Sequence, residues 1–230
     1  RPPGHHAVRE RGMGYCIFSN MAVAIATAKK VHGDSLRVAV VDWDVHHGNG
    51  TESIFLNDPN VLTISLHQDR LYPHDTGDLD VVGVGTNINI PLPPGTGLGG
   101  YYSAFDRVVI PAIEKFKPDI ITVTSGFDSS YLDPLGRMML TAEGYRTLTS
   151  KLMNVASQVC DGKLMMTHEG GYNAVYSPFC GLFVLQELSG VKKLDDPFRH
   201  GNDYPGHELK AHENSVIERA AALIHGVPTR

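Results

Sequence analysis

Short apolar runs, often β-branched, alternate along this chain with longer stretches whose apolar positions recur every three or four residues. The first pattern is typical of strands buried on both faces, and the second of helices packed against a sheet. The runs predict strands at residues 38–41, 61–67, 87–91, 119–124 and 163–167. The amphipathic stretches predict helices at residues 21–31, 51–55, 101–116, 141–160, 177–188 and 211–225.

Strands and helices that alternate in this way predict right-handed crossovers, and therefore an α/β fold with a mostly parallel central sheet and helices on both faces. Residues 68–85 are predicted to form a long loop, and long loops in compact domains are usually functional. With 230 residues and 42% hydrophobic content, the chain is long enough for one large domain or two small ones. Because no linker is evident, we expect one domain over residues 1–230, with an irregular tail and a last helix at residues 192–230.

Polar clusters follow three of the predicted strands. The first strand runs into Asp42, Asp44 and His46, the fourth is followed by Asp128, and the last exits into Glu-Gly-Gly-Tyr at residues 169–172. Parallel strands end at one edge of a sheet, and ligands of open α/β sheets bind beyond that edge. We therefore expect the three clusters to converge on one rim.

At that rim, Asp44, His46 and Asp128 would offer one nitrogen and two carboxylate oxygens to a zinc-like ion. Asp44 and His46 are two positions apart, so on an extended backbone their side chains point the same way. Three protein ligands leave a coordination position open, which indicates a catalytic site. Two carboxylates make the donor set harder, so ferrous iron could compete with zinc. Taken alone, the first cluster could equally be a polar loop after a core strand.

Two adjacent histidines, His5 and His6, follow a stiff Pro-Pro-Gly turn. Across the pocket from the ion they would act as general base and general acid. Asp42 and Asn49 are candidate orienting partners, and a carboxylate partner keeps one imidazole more basic than an amide partner does. Tyr172 could donate its hydroxyl to a developing oxyanion. The reaction class that these parts predict is metal-assisted hydrolysis of an amide.

Composition limits the cellular location and the partners that can be expected, and it leaves the predicted fold and reaction class unchanged. The net charge is −5 with charges scattered along the chain, which argues against a sequence-independent grip on nucleic acid. The three cysteines show no C-x-x-C spacing, so neither a disulfide framework nor a thiolate zinc site is expected. No apolar run has the length needed to span a bilayer. We expect a cytoplasmic protein without a membrane or nucleic-acid partner. The sequence leaves the oligomeric state open, with a homo-oligomer as one alternative.

Four motifs in order resemble those of the zinc-dependent histone deacetylase family, which includes bacterial acetylpolyamine amidohydrolases. They are Arg-Pro-Pro-Gly-His-His-Ala at residues 1–7, Asp-Trp-Asp-Val-His-His-Gly-Asn-Gly-Thr at 42–51, Ser-Gly-Phe-Asp at 125–128 and Glu-Gly-Gly-Tyr at 169–172. The similarity extends to about residue 191 and looks like the class II branch and its bacterial relatives. It implies an arginase-like fold of three layers.

The resemblance also implies roles for individual residues. Asp44, His46 and Asp128 would be the zinc ligands, His5 and His6 the histidine pair, and Tyr172 the catalytic tyrosine. The resemblance further implies a substrate channel that is flanked by Tyr15 and Tyr72, lined by Gly170, and has Leu135 at its mouth. It also implies an inner structural potassium site at Asp42, Asp44, His46, Ser65 and Leu66. Tyr15 and Tyr72 could instead be ordinary half-buried aromatics, and Leu135 a core residue. His47, His67 and His168 are expected to be structural.

Three functions remain open from sequence. Polyamine-specific relatives can carry glutamate where this chain has Leu135, so leucine favours removal of acetyl or other acyl groups from lysine side chains of proteins. Hydrolysis of acetylpolyamines or other small acetylated amines is the alternative within the enzyme class. Family members carry roughly one hundred or more residues before the Pro-Pro-Gly motif, judging by domain size. In this sequence the motif stands at residues 2–4, so we expect the deacetylase-type domain to lack its usual N-terminal part. The third possibility is therefore a metal-containing acyl-lysine-binding module in which His5 and His6 fray and turnover is low.

Overall fold

A central sheet of five parallel strands organises the chain, whose computed structural model describes residues 2–230. All five predicted strands are present, and their ends differ from the predicted ends by at most one residue. The strands are β1 (Val38–Asp42), β2 (Val61–Gln68), β3 (Asn87–Leu92), β4 (Ile120–Ser125) and β5 (Leu164–His168), in the spatial order β3-β2-β1-β4-β5.

Helices cover both faces of the sheet. They are α1 (Asn20–His32), α2 (Asn49–Phe55), α3 (Leu98–Ala104), α4 (Ile110–Phe116), α5 (Ala142–Val159), α6 (Ser177–Ser189) and α7 (Ala211–Leu223). Alternate side chains of β1 explain the two layers. Val38 and Val40 join an apolar cluster with α1, whereas Ala39 and Val41 point into the larger cluster with α4 and α5. The predicted α/β fold of three layers is therefore confirmed.

The helix predicted at residues 101–116 begins earlier and is interrupted. Between α3 and α4 lies a wider, π-helical turn at Phe105–Val109, in which the Ile110 N–H donates to the carbonyl of Phe105, five residues back. The next residue is Pro111, which has no N–H and whose ring collides with the carbonyl four residues back in a regular α-helix. The wider turn accommodates this proline without ending the helix.

The C-terminal segment is irregular until its last helix. Between α6 and α7 the described residues form one short 3-10 helix, Arg199–Asp203. Ile217 and Ala220 of α7 are fully buried in the larger apolar cluster. Within residues 2–230, no helix combines the length and the apolar character needed to cross a bilayer.

Strand order decides where the polar clusters meet. β1, β4 and β5 are adjacent and parallel, with Asp42 beside Thr124 and Ser125 beside His168. The chain leaves all three strands at one edge of the sheet, so the segments that follow them pack against each other. The predicted convergence on one rim is what the topology produces.

Candidate active site

Asp44, His46 and Asp128 come together where the chain leaves β1 and β4. One ligand atom of each lies within 4.8 Å of the others. His46 Nδ1 is 3.0 Å from Asp44 Oδ1 and 3.1 Å from Asp128 Oδ2. All three side chains are buried, with exposed fractions of 1%, 8% and 0%. The three residues predicted to hold a metal ion thus form one compact N,O,O donor set.

Backbone amides fix the two carboxylates of this set. Asp44 Oδ1 accepts from the N–H of His46 at 2.9 Å, and Asp44 Oδ2 accepts from the N–H of Gly170 at 2.9 Å. Asp128 Oδ1 accepts from the N–H of Val45 at 2.8 Å. Hydrogen bonds of this kind orient ligands and are part of what sets metal affinity. Main-chain amides that follow β1 and β5 therefore hold the carboxylates in place.

Two glycines leave room for the cradle. A Cβ on Gly126 would lie 2.1 Å from Asp44 Oδ2, and a Cβ on Gly170 would lie 2.1 Å from Asp128 Oδ2. Both distances are far below van der Waals contact, so any side chain there would push a carboxylate out of place. Close approach to the ligands thus explains Gly126 in the third motif and Gly170 in the fourth.

The charges at the cradle fit a bound cation. Burial raises the pKa of Asp128, and the neighbouring charge of Asp44 raises it further. Burial opposes a charge on His46, but its hydrogen bonds to Asp128 and Asp44 raise its pKa to about 10. The two buried carboxylates of Asp44 and Asp128 therefore favour a positive charge at the position between them. A divalent cation supplies that charge once the ligands are deprotonated, so donor types, space and electrostatics all fit a zinc-like ion.

His5 and His6 lie beside the cradle, each with its predicted partner. His5 Nδ1 is 3.0 Å from Asp42 Oδ2, and His6 Nδ1 is 2.7 Å from Asn49 Oδ1. The two rings are 4.0 Å apart, and the residues are only 2% and 3% exposed. Since Asn49 Oδ1 only accepts, His6 Nδ1 carries a proton, and its Nε2 is the nitrogen with a lone pair.

The two imidazoles are electrostatically unequal. Burial opposes the charged form of His5, but Asp44 and Asp42 outweigh burial and raise the pKa of His5 well above its usual value. Burial and the charge of His5 lower the pKa of His6 to about 3. Their surroundings therefore favour a proton on the ring of His5 and disfavour a second proton on the ring of His6.

Glu169 was not assigned a role from sequence, yet it contacts the histidine segment. Its Oε2 accepts from the N–H of Gly4 at 2.6 Å and from the N–H of His5 at 3.1 Å. The only sequence signal was its place in the polar exit of β5. Contacts made through backbone amides leave no mark on residue type, so its partners could not be anticipated.

Asp133 is a second carboxylate that sequence reasoning missed. Its Oδ2 accepts from the N–H of Tyr172 at 2.6 Å and of Asn173 at 3.3 Å, and its Oδ1 accepts from the N–H of Leu135 at 2.9 Å. Asp133 is 7% exposed. In sequence it is only the first residue of an Asp-Pro turn, which gives no hint of a contact 39 residues away.

A channel of about 460 Å³ leads to this site. Three residues predicted at the substrate channel are among its walls, and Leu135, at 41% exposure, is at the surface rather than in the core. The ring of Tyr72 stands perpendicular to that of His6 at 5.0 Å, and the ring of Tyr15 lies 5.8 Å from that of Tyr172. The lining residues are His6, Gly14, Tyr15, His46, Leu71, Tyr72, Leu135 and Tyr172.

Other predicted positions lie around the cradle rather than in the channel. Gly170 contacts Asp44 through its N–H, and its role in lining the substrate stays a prediction. Asp42 and Ser65 are neighbours in the β1–β2 pairing, and Leu66 is fully buried next to them. The Ser65 hydroxyl lies 2.9 Å from His67 Nδ1 and accepts from the N–H of Gly48 at 3.4 Å. The potassium ligands also stay a prediction.

Two histidines expected to be structural are hydrogen bonded in the interior. His47 contacts the Thr76 hydroxyl at 2.9 Å and a Glu52 carboxylate oxygen at 3.2 Å. His67 Nε2 lies 3.1 Å from the carbonyl oxygen of Gly77. The pair fastens the long loop after β2 to the sheet, and this loop carries Tyr72 to the channel.

Comparison with known proteins identifies the same relationship. The model of the histone deacetylase domain matches residues 1–183. Histone deacetylase-like amidohydrolase of Pseudomonas aeruginosa is 48% identical over 204 residues, which are 86% of this chain and 53% of that protein. Chloroplastic histone deacetylase 14 of Arabidopsis thaliana is 42% identical over 205 residues, covering 86% of this chain and 48% of that protein. The chain thus spans about half the length of these curated relatives.

Solved structures of this family share the fold. The HDA15 HD domain superimposes with a TM-score of 0.84 at 34% identity, covering 97% of this chain and 61% of that one. The histone deacetylase Clr3 gives a TM-score of 0.81 at 33% identity, covering 99% of this chain and 36% of that one. From the domain match and these relatives together, the chain belongs to the histone deacetylase family.

Proposed function

We propose that this chain carries the active site of a metal-dependent amidohydrolase that removes acetyl or other acyl groups from lysine side chains. The observation that carries the proposal is the arrangement at the foot of the channel. There the Asp44, His46 and Asp128 donor set lies next to a histidine pair of unequal basicity, beneath walls made of tyrosines. An extended, uncharged side chain fits such a channel, and an amide at its end would reach the metal cradle.

A divalent cation held by Asp44, His46 and Asp128 would polarise the amide carbonyl and lower the pKa of a water molecule beside it. His6, which is neutral and lines the channel, accepts the proton of the attacking water at Nε2. His5, charged and paired with Asp42, returns a proton to the departing amine. This order is the reverse of the first expectation, and the different partners of the two rings support it. Tyr172 donates its hydroxyl to the carbonyl oxygen as negative charge develops there.

The walls of the channel favour acyl-lysine over acetylated polyamines. Among residues 2–230, the side chains that line it include no carboxylate, and they include Leu71 and Leu135. A polyamine keeps further ammonium groups after acetylation, and these need anionic partners when they leave water. An acyl-lysine presents only methylenes and a neutral amide. The relatives named as histone deacetylases are consistent with this preference.

The order of the histidine segment supports an enzyme over a binding module. His5 and His6 are nearly fully buried, and both imidazoles and the N–H of His5 have hydrogen-bond partners. Zinc is the cation we propose, because one imidazole with two carboxylates suits it, and ferrous iron is the alternative. A structural potassium ion near Asp42, Ser65 and Leu66 is part of the same proposal.

The test is acetate release from an acetyl-lysine peptide by the zinc-loaded chain. Tyr172→Phe removes one donor to the oxyanion and should lower kcat by about 10²–10³-fold. His6→Ala removes the base and should lower kcat by about 10²–10⁴-fold. Tyr204→Phe and His225→Ala, both at exposed positions away from the site, are the matched controls and should leave kcat unchanged.

Three outcomes separate the candidates. Turnover of the peptide that collapses in both site variants supports the proposal. Faster turnover of acetylputrescine than of the peptide would replace acyl-lysine with small acetylated amines. Absence of turnover with one zinc ion bound per chain would instead favour a binding module.

A further inference from the structure

We propose that Glu169 is a positioning residue that clamps the backbone of the histidine pair, an inference that rests on the amidohydrolase function proposed above. Glu169 follows β5 directly and is fully buried. It lines neither the channel nor the metal cradle among the described residues. A buried carboxylate is costly unless it is satisfied by hydrogen bonds, so its partners indicate what it does.

Two of those partners are backbone N–H groups of the segment that contains His5 and His6. One oxygen, Oε2, accepts from two consecutive amides, those of Gly4 and His5. The other oxygen, Oε1, accepts from the Thr167 hydroxyl at 2.8 Å. A carboxylate accepts without donating, so it suits two N–H groups that point at the same spot. Thr167 holds the side chain in the conformation that places Oε2 there.

The other side of the same peptide segment is held as well. The His5 carbonyl accepts from the N–H of Gly50 at 3.0 Å and of Thr51 at 3.2 Å, in the first turn of α2. The backbone at His5 is thus fastened through its N–H to the β5 exit and through its carbonyl to α2. Any rotation of this segment would move both imidazoles relative to Asp44 and the channel. A displacement of about 1 Å of a catalytic group can cost about 10²-fold in rate.

The experiment compares three variants in the zinc-loaded full chain. Glu169→Met has a similar length but offers no strong acceptor to the two amides, so kcat should fall by about 10²-fold with KM changed less than about twofold. Glu169→Gln keeps a carbonyl oxygen for both amides and should restore kcat to within about fivefold of the original chain. Glu114→Met, the same substitution at an exposed glutamate of α4, is the matched control and should leave kcat unchanged.

The clamp also has a readout that does not need turnover. Amide hydrogen exchange at Gly4 and His5 should speed up in Glu169→Met and not in Glu169→Gln, because exchange follows local opening. Should the original chain show no turnover, the proposed function fails, and this comparison still decides the clamp. The inference is overturned if Glu169→Gln loses as much kcat as Glu169→Met. It is equally overturned if the two variants exchange alike at Gly4 and His5.

Discussion

Replacing Asp133 tests whether the Tyr172 loop is held by a single carboxylate. Asp133 accepts three backbone N–H bonds, from Tyr172, Asn173 and Leu135. Asp133→Ala removes all three acceptors and leaves the amides partly desolvated. Asp133→Asn keeps one oxygen and replaces the other with an NH₂ group, which cannot accept.

The magnitudes follow from the number of bonds lost. A hydrogen bond to a charged group contributes about 1.5–3 kcal/mol. In Asp133→Asn the remaining oxygen should stay with the Tyr172 and Asn173 amides, so one bond is lost and unfolding free energy falls by about 2 kcal/mol. In Asp133→Ala all three are lost, and three bonds at the lower limit of that range give about 4.5 kcal/mol, at the upper end for a single substitution. A freed Tyr172 should also cost about 10- to 100-fold in kcat, whereas the Asn variant should keep most of its activity.

Urea unfolding and deacetylation kinetics measure the two effects, and Tyr172→Phe separates them. If Asp133 affects turnover through the Tyr172 hydroxyl, the kcat loss of Asp133→Ala should disappear in the Tyr172→Phe background, while its loss of stability remains. Full additivity of the two kcat losses would refute the idea that Asp133 works through Tyr172. Equal loss of stability in the Asn and Ala variants would refute the bond-by-bond reasoning.

Three further predictions concern the metal cradle and the buried network behind it. Gly170→Ala brings a methyl group into Asp128 and should weaken zinc binding by about 10- to 100-fold in calorimetry, whereas Gly226→Ala, which meets no neighbour within 4 Å, should not. Chelation should lower the Tm, because zinc at about 100 times its Kd stabilises the folded state by about 2.7 kcal/mol; an unchanged Tm would contradict a site in the folded state. Burial raises the pKa of Glu52, but the hydrogen bond from His47 and those from two asparagines outweigh it and lower the pKa. The stability that the charged Glu52 contributes is present above its unfolded-state pKa and is lost as the pH falls through its folded-state pKa. Glu52→Gln should therefore be less stable than the original chain at pH 7, and the two stabilities should become equal in acid. A difference in urea midpoints that stays constant with pH would contradict this.

The parts of this molecule that could be predicted are those whose physics is local. The bounds of strands and helices could be predicted to within a few residues, because the apolar positions of a buried strand or helix repeat with the period of that element. Asp44, His46 and Asp128 could be grouped because each follows a strand of one parallel sheet. The wider turn before Pro111 could not be foreseen, because the helix period continues through it and only the hydrogen-bond register changes.

What escaped prediction depends on contacts between side chains and distant main chain. Glu169 and Asp133 bind amides of Gly4 and Tyr172, and an amide has the same chemistry at almost every position. The roles of these two carboxylates can therefore be read from the folded structure but not from the residue types in the sequence. The sequence does predict unequal basicity of His5 and His6, because this depends on the residue types of their partners, a carboxylate for one ring and an amide for the other.

The hydrogen bond between Gly4 and Glu169 joins residues 165 positions apart, and this has a consequence for synthesis of the chain. At about 5–20 residues per second, the ribosome produces Glu169 roughly 10–30 s after Gly4. Until then β4 lacks its neighbour β5, and the segment with the two histidines has its hydrogen bonds to α2 but not those to Glu169. Such long-range closure is slow to form and late in the sequence of events. The growing polypeptide therefore carries its reactive groups unassembled, and the pocket matures only once the last strand and its tyrosine have emerged.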